Sequence, residues 1–329
     1  MAVRALSAGA AVRRKGWQLG LQGSGQLVGG LPSPRFFRAV AERAEELGYD
    51  SLWAGDHISF VNPILDPLVA LSLFAAATER VELGTSVLLL PLRHPSVVAK
   101  QAASLDWLSG GRLVLGVGVG GEGEKDFRAV GVDPRERGAR ADEALQALAA
   151  LLSGPEASFR GRFFSFSGVT IAPGPARMRR VPFWVGGRSQ AAIRRAARLG
   201  HGWMPIWVSP ERFAEGWGEV ARQAKEAGRD SDALVPAVVL PARVEDDGPL
   251  ARRRAQEHLS RRYGQPFPER VVERYCLAGT PGECARRLRD YVSAGARHVV
   301  LNLCAGEADF LAQAERLAEV AREGAGWQA

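Results

Sequence analysis

The chain has 329 residues, 46% of them hydrophobic and 24% charged, a balance that supports a folded core and excludes an intrinsically disordered chain. Its formal net charge is +7, almost all of it arginine, yet the densest basic run, Arg252-Arg253-Arg254 followed by Arg261-Arg262, lacks interleaved aromatics and reads as a solvated helix face, which argues against nucleic-acid or membrane partners. Cys276, Cys284 and Cys304 fit neither a disulfide framework nor a zinc site, no apolar run reaches membrane-spanning length, and a reducing cytoplasmic setting is expected.

Residues 1–16 are small and basic, too weak for a secretory leader, and read as a frayed N-terminal extension. From Trp17 the chain alternates strand-length apolar runs with helical patterns. The expected strands are Trp17–Gln22, Ser51–Ala54, Val81–Leu89, Arg112–Val117, Pro182–Val185, Gly202–Ile206, Leu234–Leu240 and His298–Leu303. The expected helices are Pro34–Leu47, Pro67–Thr78, Pro95–Leu108, Glu136–Leu152, Ser189–Leu199, Pro210–Ala227, Pro281–Ala294 and Glu307–Arg322. Eight such pairs predict a single (β/α)8 TIM barrel over 17–329.

The helix boundaries carry their own signals. Ser33, Asp66, Ser209 and Thr280 each precede a proline, placing a capping oxygen ahead of a residue that has no N–H to lose. Thr280 with Glu283 makes a capping box. Gly48, Gly200, Gly228 and Gly295 mark helix ends. Two insertions interrupt the alternation. Phe159–Ala172 alternates aromatic and polar residues and predicts a short hairpin. Residues 245–277 are rich in charge and proline and predict a surface excursion or lid.

In this fold the chemistry lies at the C-terminal ends of the strands. There the sequence places Asp56-His57, Arg93-His94, the glycine run from Gly116 to Gly123, and Gly186-Gly187-Arg188-Ser189. Gly118-x-Gly120-x-x-Gly123 matches a dinucleotide fingerprint in form, but Glu122 and Glu124 delay the helix that the fingerprint must open, so a loop approached closely by a flat ligand is the better reading. Gly186-Gly187-Arg188-Ser189 opens a helix behind a buried strand and describes a phosphate cradle; an ordinary tight turn is the alternative. His57 is either a general acid–base or a loop packing residue, with Asp56 bonded to backbone. His94 reads as an N-cap neighbour. His201, His258 and His298 do not gather with carboxylates, and no metal site is expected.

These residues resemble a known family. Gly48-Tyr49-Asp50-Ser51-Leu52-Trp53-Ala54-Gly55-Asp56-His57, Leu83-Gly84-Thr85-Ser86-Val87 through Arg93-His94-Pro95, Leu108-Ser109-Gly110-Gly111-Arg112-Leu113-Val114-Leu115-Gly116-Val117-Gly118, and Pro182-Phe183-Trp184-Val185-Gly186-Gly187 are similar to the bacterial luciferase-like monooxygenase superfamily, particularly its coenzyme F420-dependent branch. The resemblance runs from about Trp17 to Arg322. It implies a flavin or deazaflavin at the strand C-termini. It implies a non-prolyl cis peptide at Ser86-Val87 behind the ring, Asp56 and His57 beside the ring, and a phosphate cradle at Gly186 and Gly187. In one deazaflavin subgroup a glutamate follows the glycine matching Gly120; here that place is Gly121, with Glu122 and Glu124 nearby, and His201 stands where an aspartate is frequent.

The expected cofactor-binding residues are therefore Asp56, Ser86, Val87, Gly120, Gly186, Gly187, Arg188 and Ser189, with His57, Glu122 and Glu124 as candidates for proton handling. Three functions are compatible. The first is hydride transfer between coenzyme F420 and a small organic substrate. The second is a reduced-FMN monooxygenase. The third is a non-catalytic flavin-binding barrel, supported only by Gly121. The open, polar mouth and the basic charge favour F420, whose tail is anionic. The partners expected are a small-molecule substrate and, as one assembly open to the chain, a second copy in a homodimer.

Overall fold

The computed structural model describes residues 16–23, 30–121, 123–176 and 180–323. Apart from Gly16, the expected N-terminal extension lies outside the described residues. The strands are β1 (Gln18–Gln22), β2 (Ser51–Ala54), β3 (Glu82–Thr85) continued by β4 (Leu88–Leu89), β5 (Leu113–Gly118), β6 (Ala157–Arg160), β7 (Ser165–Val169), β8 (Phe183–Gly186), β9 (Gly202–Met204), β10 (Val235–Val244), β11 (Leu277–Gly279) and β12 (His298–Leu303). Parallel pairing runs β1-β2-β3-β5-β8-β9-β10-β12 and returns to β1, so the sheet closes on itself as an eight-strand barrel. The antiparallel β6–β7 hairpin stands apart, where the aromatic–polar alternation placed it.

Ten helices cover the barrel or its mouth: α1 (Pro34–Glu46), α2 (Pro67–Ala77), α3 (Pro95–Leu108), α4 (Glu124–Ala129), α5 (Arg137–Ser153), α6 (Gln190–Leu199), α7 (Pro210–Glu226), α8 (Gly248–Tyr263), α9 (Glu269–Tyr275) and α10 (Pro281–Ser293). The chain then closes with β12 and a final helix, α11 (Phe310–Glu323). The caps read from sequence all form. Ser33 accepts from Phe36 N, Asp66 from Leu68 and Val69 N, Ser209 from Arg212 N, and Thr280 and Glu283 satisfy each other's backbone. Gly48, Gly228 and Gly295 adopt left-handed φ at the helix ends. Gly200 does not: it is extended at φ −83, and a side chain there would press on Ala196 O at 2.9 Å.

The barrel interior is filled by Trp53, Val114, Trp184, Met204, Ala237, Val239 and Val300. Trp53 and Trp184 meet with centroids 5.1 Å apart. Gly84 makes room for this: a Cβ there would stand 2.2 Å from Trp53 Cε3. The floor so formed carries a buried polar chain. Trp53 Nε1 donates to Ser51 Oγ at 2.7 Å, Ser51 Oγ lies 2.7 Å from His298 Nε2, and His298 Nδ1 lies 3.2 Å from Gln18 Oε1.

The insertion after β10 differs from a polar excursion. It forms α8, α9 and β11, and β11 adds to the sheet beside β10. Its apolar side, Ala255, Leu259, Val272 and Cys276, packs with Cys304. The arginine run is not simply solvated. Arg252 pairs with Glu283, Arg254 with Glu245, and Arg262 turns into the barrel mouth. The sequence pattern hid this because α8 packs against three partners, β10, β11 and α9, rather than along one stripe. Among the described residues no helix is long and apolar enough to cross a membrane, and no group of His, Cys, Asp and Glu is placed to hold a metal.

Candidate active site

A cavity of about 260 Å³ opens at the C-terminal ends of the strands. It gathers Gln22 from β1, Gly55, Asp56 and His57 after β2, Ser86, Val87 and Leu89 at the β3–β4 break, Gly118–Gly121 after β5, Gly186 and Gly187 after β8, and Asn302 from β12. Residues spread over 280 positions of sequence thus face one space.

The break between β3 and β4 shapes the floor. The Ser86–Val87 peptide is cis, and the single expected strand Val81–Leu89 is split by it. Val87 then lies across the mouth between β5 and β8. A Cβ on Gly118 would stand 2.4 Å from Val87 Cγ2, and one on Gly186 2.8 Å from Val87 Cγ1. These two glycines are therefore required by Val87.

Asp56 fixes the same break from below. Its carboxylate accepts Leu89 N at 2.9 Å and Arg93 Nη2 at 2.7 Å, and Arg93 continues to Asp66 at 2.8 Å. Burial pushes the Asp56 carboxyl up, and Arg93 and the Leu89 N–H pull against it. The residue borders the cavity as expected, but its oxygens are committed to the fold. This ladder ties the end of β2 to β4 and to the N-terminus of α2.

His57 stands on the rim. Its Nδ1 lies 2.8 Å from Asp126 Oδ2, and its ring stacks on Phe60 at 4.1 Å. Asp126 is buried, with Oδ1 accepting Ile58 N at 2.9 Å and Ser59 N at 2.7 Å. A carboxylate accepting at Nδ1 sets the ring's orientation. Asp126 was missed in the sequence because it sits in a short helix, α4, that the glycine run conceals. The remaining signal was an acidic residue just past a glycine loop.

The other expected residues divide. Gly120 and Gly121 line the cavity in left-handed or extended positive-φ backbone, and a Cβ on Gly121 would meet nothing. Gly187 has φ +103 at the start of the turn into α6. Ser189 caps α6 through Ala192 N, and Arg188 donates to Trp207 O at 3.0 Å; both stand outside the cavity lining. Glu124 opens α4, exposed and away from the cavity. Glu122 lies outside the described residues. His94 is the N-cap of α3, His201 Nδ1 accepts Phe183 N, and His258 and His298 are buried.

The lining suits a flat polar ring. Backbone from Gly55, Gly118–Gly121 and Gly186–Gly187 presents edges without side chains, and Val87 offers one apolar face. One guanidinium nitrogen in the wall, Arg262 Nε, is buried without a hydrogen-bond partner.

Comparison with known proteins shows the family to which the chain belongs. Residues 14–298 match the family model described as luciferase-like monooxygenase. An F420-dependent glucose-6-phosphate dehydrogenase of Kineococcus radiotolerans is 30% identical over 290 residues, covering 80% of this chain and 85% of its own. The 4-hydroxyprotoasukamycin monooxygenase of Streptomyces nodosus subsp. asukaensis is 32% identical over 216 residues, covering 63% of this chain and 58% of its own. In structure, an F420-dependent secondary alcohol dehydrogenase solved with an F420-acetone adduct superposes with a TM-score of 0.80 at 20% identity, covering 92% of this chain and 98% of that one; this likeness is one of fold.

Proposed function

We propose that this chain, an oxidoreductase belonging to the luciferase-like monooxygenase family, passes a hydride between coenzyme F420 and a small organic substrate. The observation that carries the reading is the mouth itself: the Ser86–Val87 break, the glycine backbone around it and His57, held from behind by Asp126, all face one cavity. The relative from Kineococcus, named for F420, supports the choice of cofactor.

In this reading Ser86, Val87 and Gly118–Gly121 support the ring, and Gly186 and Gly187 face the phosphate. The bound deazaflavin supplies a ring carbon that carries hydride and reacts slowly with oxygen. The protein supplies position and protons. Asp126 holds the His57 imidazole, and Nε2 takes the proton from the substrate's hydroxyl as hydride leaves its carbon, or returns one to the carbonyl oxygen in the reverse direction. Asp56 and Arg93 keep the β3–β4 break in place. Glu122 and Glu124 remain secondary candidates for the proton, Glu124 the weaker because it faces solvent.

A second reading, a reduced-FMN monooxygenase, is favoured by the Streptomyces relative. It needs a dry, closed pocket, whereas this mouth carries Gln22, Asp56, His57, Arg262 and Asn302. A barrel that only binds flavin leaves the His57–Asp126 pair without a task. The assay that separates these is anaerobic bleaching of F420 by a panel of small alcohols, set against oxygen uptake with reduced FMN. Bleaching without oxygen uptake is expected; oxygen uptake alone would replace the first reading by the second.

A homodimer is the assembly proposed. Val69 on α2 and Val97, Trp107 and Leu108 on α3 are exposed apolar side chains on adjacent helices.

A further inference from the structure

We propose that Arg262 is the substrate's anion anchor, so that the molecule turned over at this site is a small organic anion bearing a carboxylate or phosphate. The inference rests on the hydride-transfer reading and deepens it.

The first observation is the state of the guanidinium. Arg262 Nη1 donates to Asn302 Oδ1 at 3.0 Å, and Nε is buried with no acceptor. No ion pair joins Arg262 to any carboxylate of the described residues, whose pairs are formed by other arginines. Arg262 as a whole is half-buried, but a guanidinium N–H buried without an acceptor is costly. The other ionisable side chains of the lining already have partners: Asp56 has Arg93, and His57 has Asp126. The buried neighbours that feel Arg262, His258 and Cys304, are themselves held neutral, His258 pushed down to about 3 and Cys304 up to about 12, burial being the larger cause in each. The cavity therefore presents one uncompensated positive group.

The second observation is that Arg262 is held there. It closes α8, and Asn62 Nδ2 clamps the helix end by donating to Arg261 O at 3.2 Å and Arg262 O at 2.9 Å. Gly264 then turns the chain at φ +66. The next side chain, Tyr263, stacks on Phe267 at 5.7 Å and meets Phe60 edge-on at 6.3 Å. A guanidinium on a fixed stem loses little freedom on binding.

The third observation separates this anchor from the phosphate loop. Asn302 lies on β12 and Gln22 on β1. In the closed ring β12 stands four strands from β5, and β1 four strands from β8. Arg262 thus faces the cavity from the side opposite Gly118–Gly121 and Gly186–Gly187. A phosphate cradled at β8 leaves Arg262 for a second anionic group.

The test uses the full chain and three probes: benzoate, its neutral isostere benzamide, and inorganic phosphate, titrated calorimetrically into wild type, Arg262→Gln and Arg262→Lys. Wild type should bind benzoate about tenfold or more tighter than benzamide, the worth of one charge-assisted contact. That ratio should fall to about one in Arg262→Gln and recover in part in Arg262→Lys, with phosphate following benzoate. Affinity for F420 should stay within about twofold across all three proteins. Equal binding of benzoate and benzamide by wild type would overturn the proposal, whatever the variants do. So would a loss of F420 affinity in Arg262→Gln, which would assign the residue to the cofactor. If wild type prefers benzoate but does not bind F420, the anchor stands and the cofactor reading falls.

Discussion

Asp126 Oδ2 lies 2.8 Å from His57 Nδ1, across 69 positions of sequence. The contact joins the loop after β2 to the short helix after β5, and the same carboxylate takes the Ile58 and Ser59 N–H groups. One buried side chain therefore sets both the rim of the cavity and the ring that faces it. His57→Asn should lower turnover about 100-fold or more, the usual worth of a positioned acid–base. Asp126→Asn should lower it about tenfold with F420 affinity nearly unchanged. Steady-state kinetics beside cofactor titration check this; a His57→Asn enzyme with wild-type turnover would remove His57 from the reaction.

Val87 and Gly118 occupy one space. Gly118→Ala places a Cβ 2.4 Å from Val87 Cγ2, and the overpacking should cost about 1–3 kcal/mol. The valine must shift toward the cavity, so F420 affinity should fall as well. Adding Val87→Ala should restore much of both losses. Denaturant melts and cofactor titrations of the two single variants and the double variant close the cycle. Additive losses would mean that the two residues do not compete for space.

Asp56 is expected to act on stability first. Asp56→Ala strips Arg93 of one of its two carboxylates and leaves the Leu89 N–H unmatched. A loss of roughly 3 kcal/mol is expected. Thermal unfolding in the absence of cofactor reads this directly. A fully stable variant with weakened F420 binding would return Asp56 to the ring side.

Much of this was legible in the sequence. The barrel followed from the alternation, because each parallel strand is buried on both faces and each helix shows a cap and a stop. The four caps at Ser33, Asp66, Ser209 and Thr280 are local chemistry within three residues, and all four form. The cavity residues at strand ends were legible because the fold dictates which end carries the site. What was not legible was the choice of partner. An aspartate at a strand end reads alike whether it faces a ligand or an arginine 37 residues away, so the Asp56–Arg93 pair could not be read from the sequence. Arg262 was hidden in a basic run in which Arg252 and Arg254 pair outward, and its partner Asn302 is 40 residues on. Gly187, with its positive φ, fits a cradle, but Gly186 next to it is explained by Val87.

Stability should fall on mild acidification. His298 is buried in a chain of neutral hydrogen bonds, and burial holds its pKa down to about 3, against 6.5 for a free imidazole. The folded state thus refuses a proton that the unfolded chain accepts below pH 6.5. The stabilisation is complete above that value and is lost as pH falls from 6.5 toward 3. Between pH 7 and pH 5 the loss should be about 2 kcal/mol for His298, and about as much again for His258, which is likewise held near 3. Urea unfolding at the two pH values measures it. His298→Gln should be less stable at pH 7 yet lose about 2 kcal/mol less on acidification; an unchanged pH slope would contradict the assignment.

A deazaflavin held in this mouth for hydride transfer is the function proposed. The most direct test is a side-by-side titration of the purified chain with coenzyme F420 and FMN, each oxidised and reduced, followed by ligand fluorescence. Saturable one-to-one binding of F420, tighter than FMN and weakened at least tenfold by Gly187→Val, is the expected result. Tight binding of FMN with no measurable affinity for F420 would contradict it.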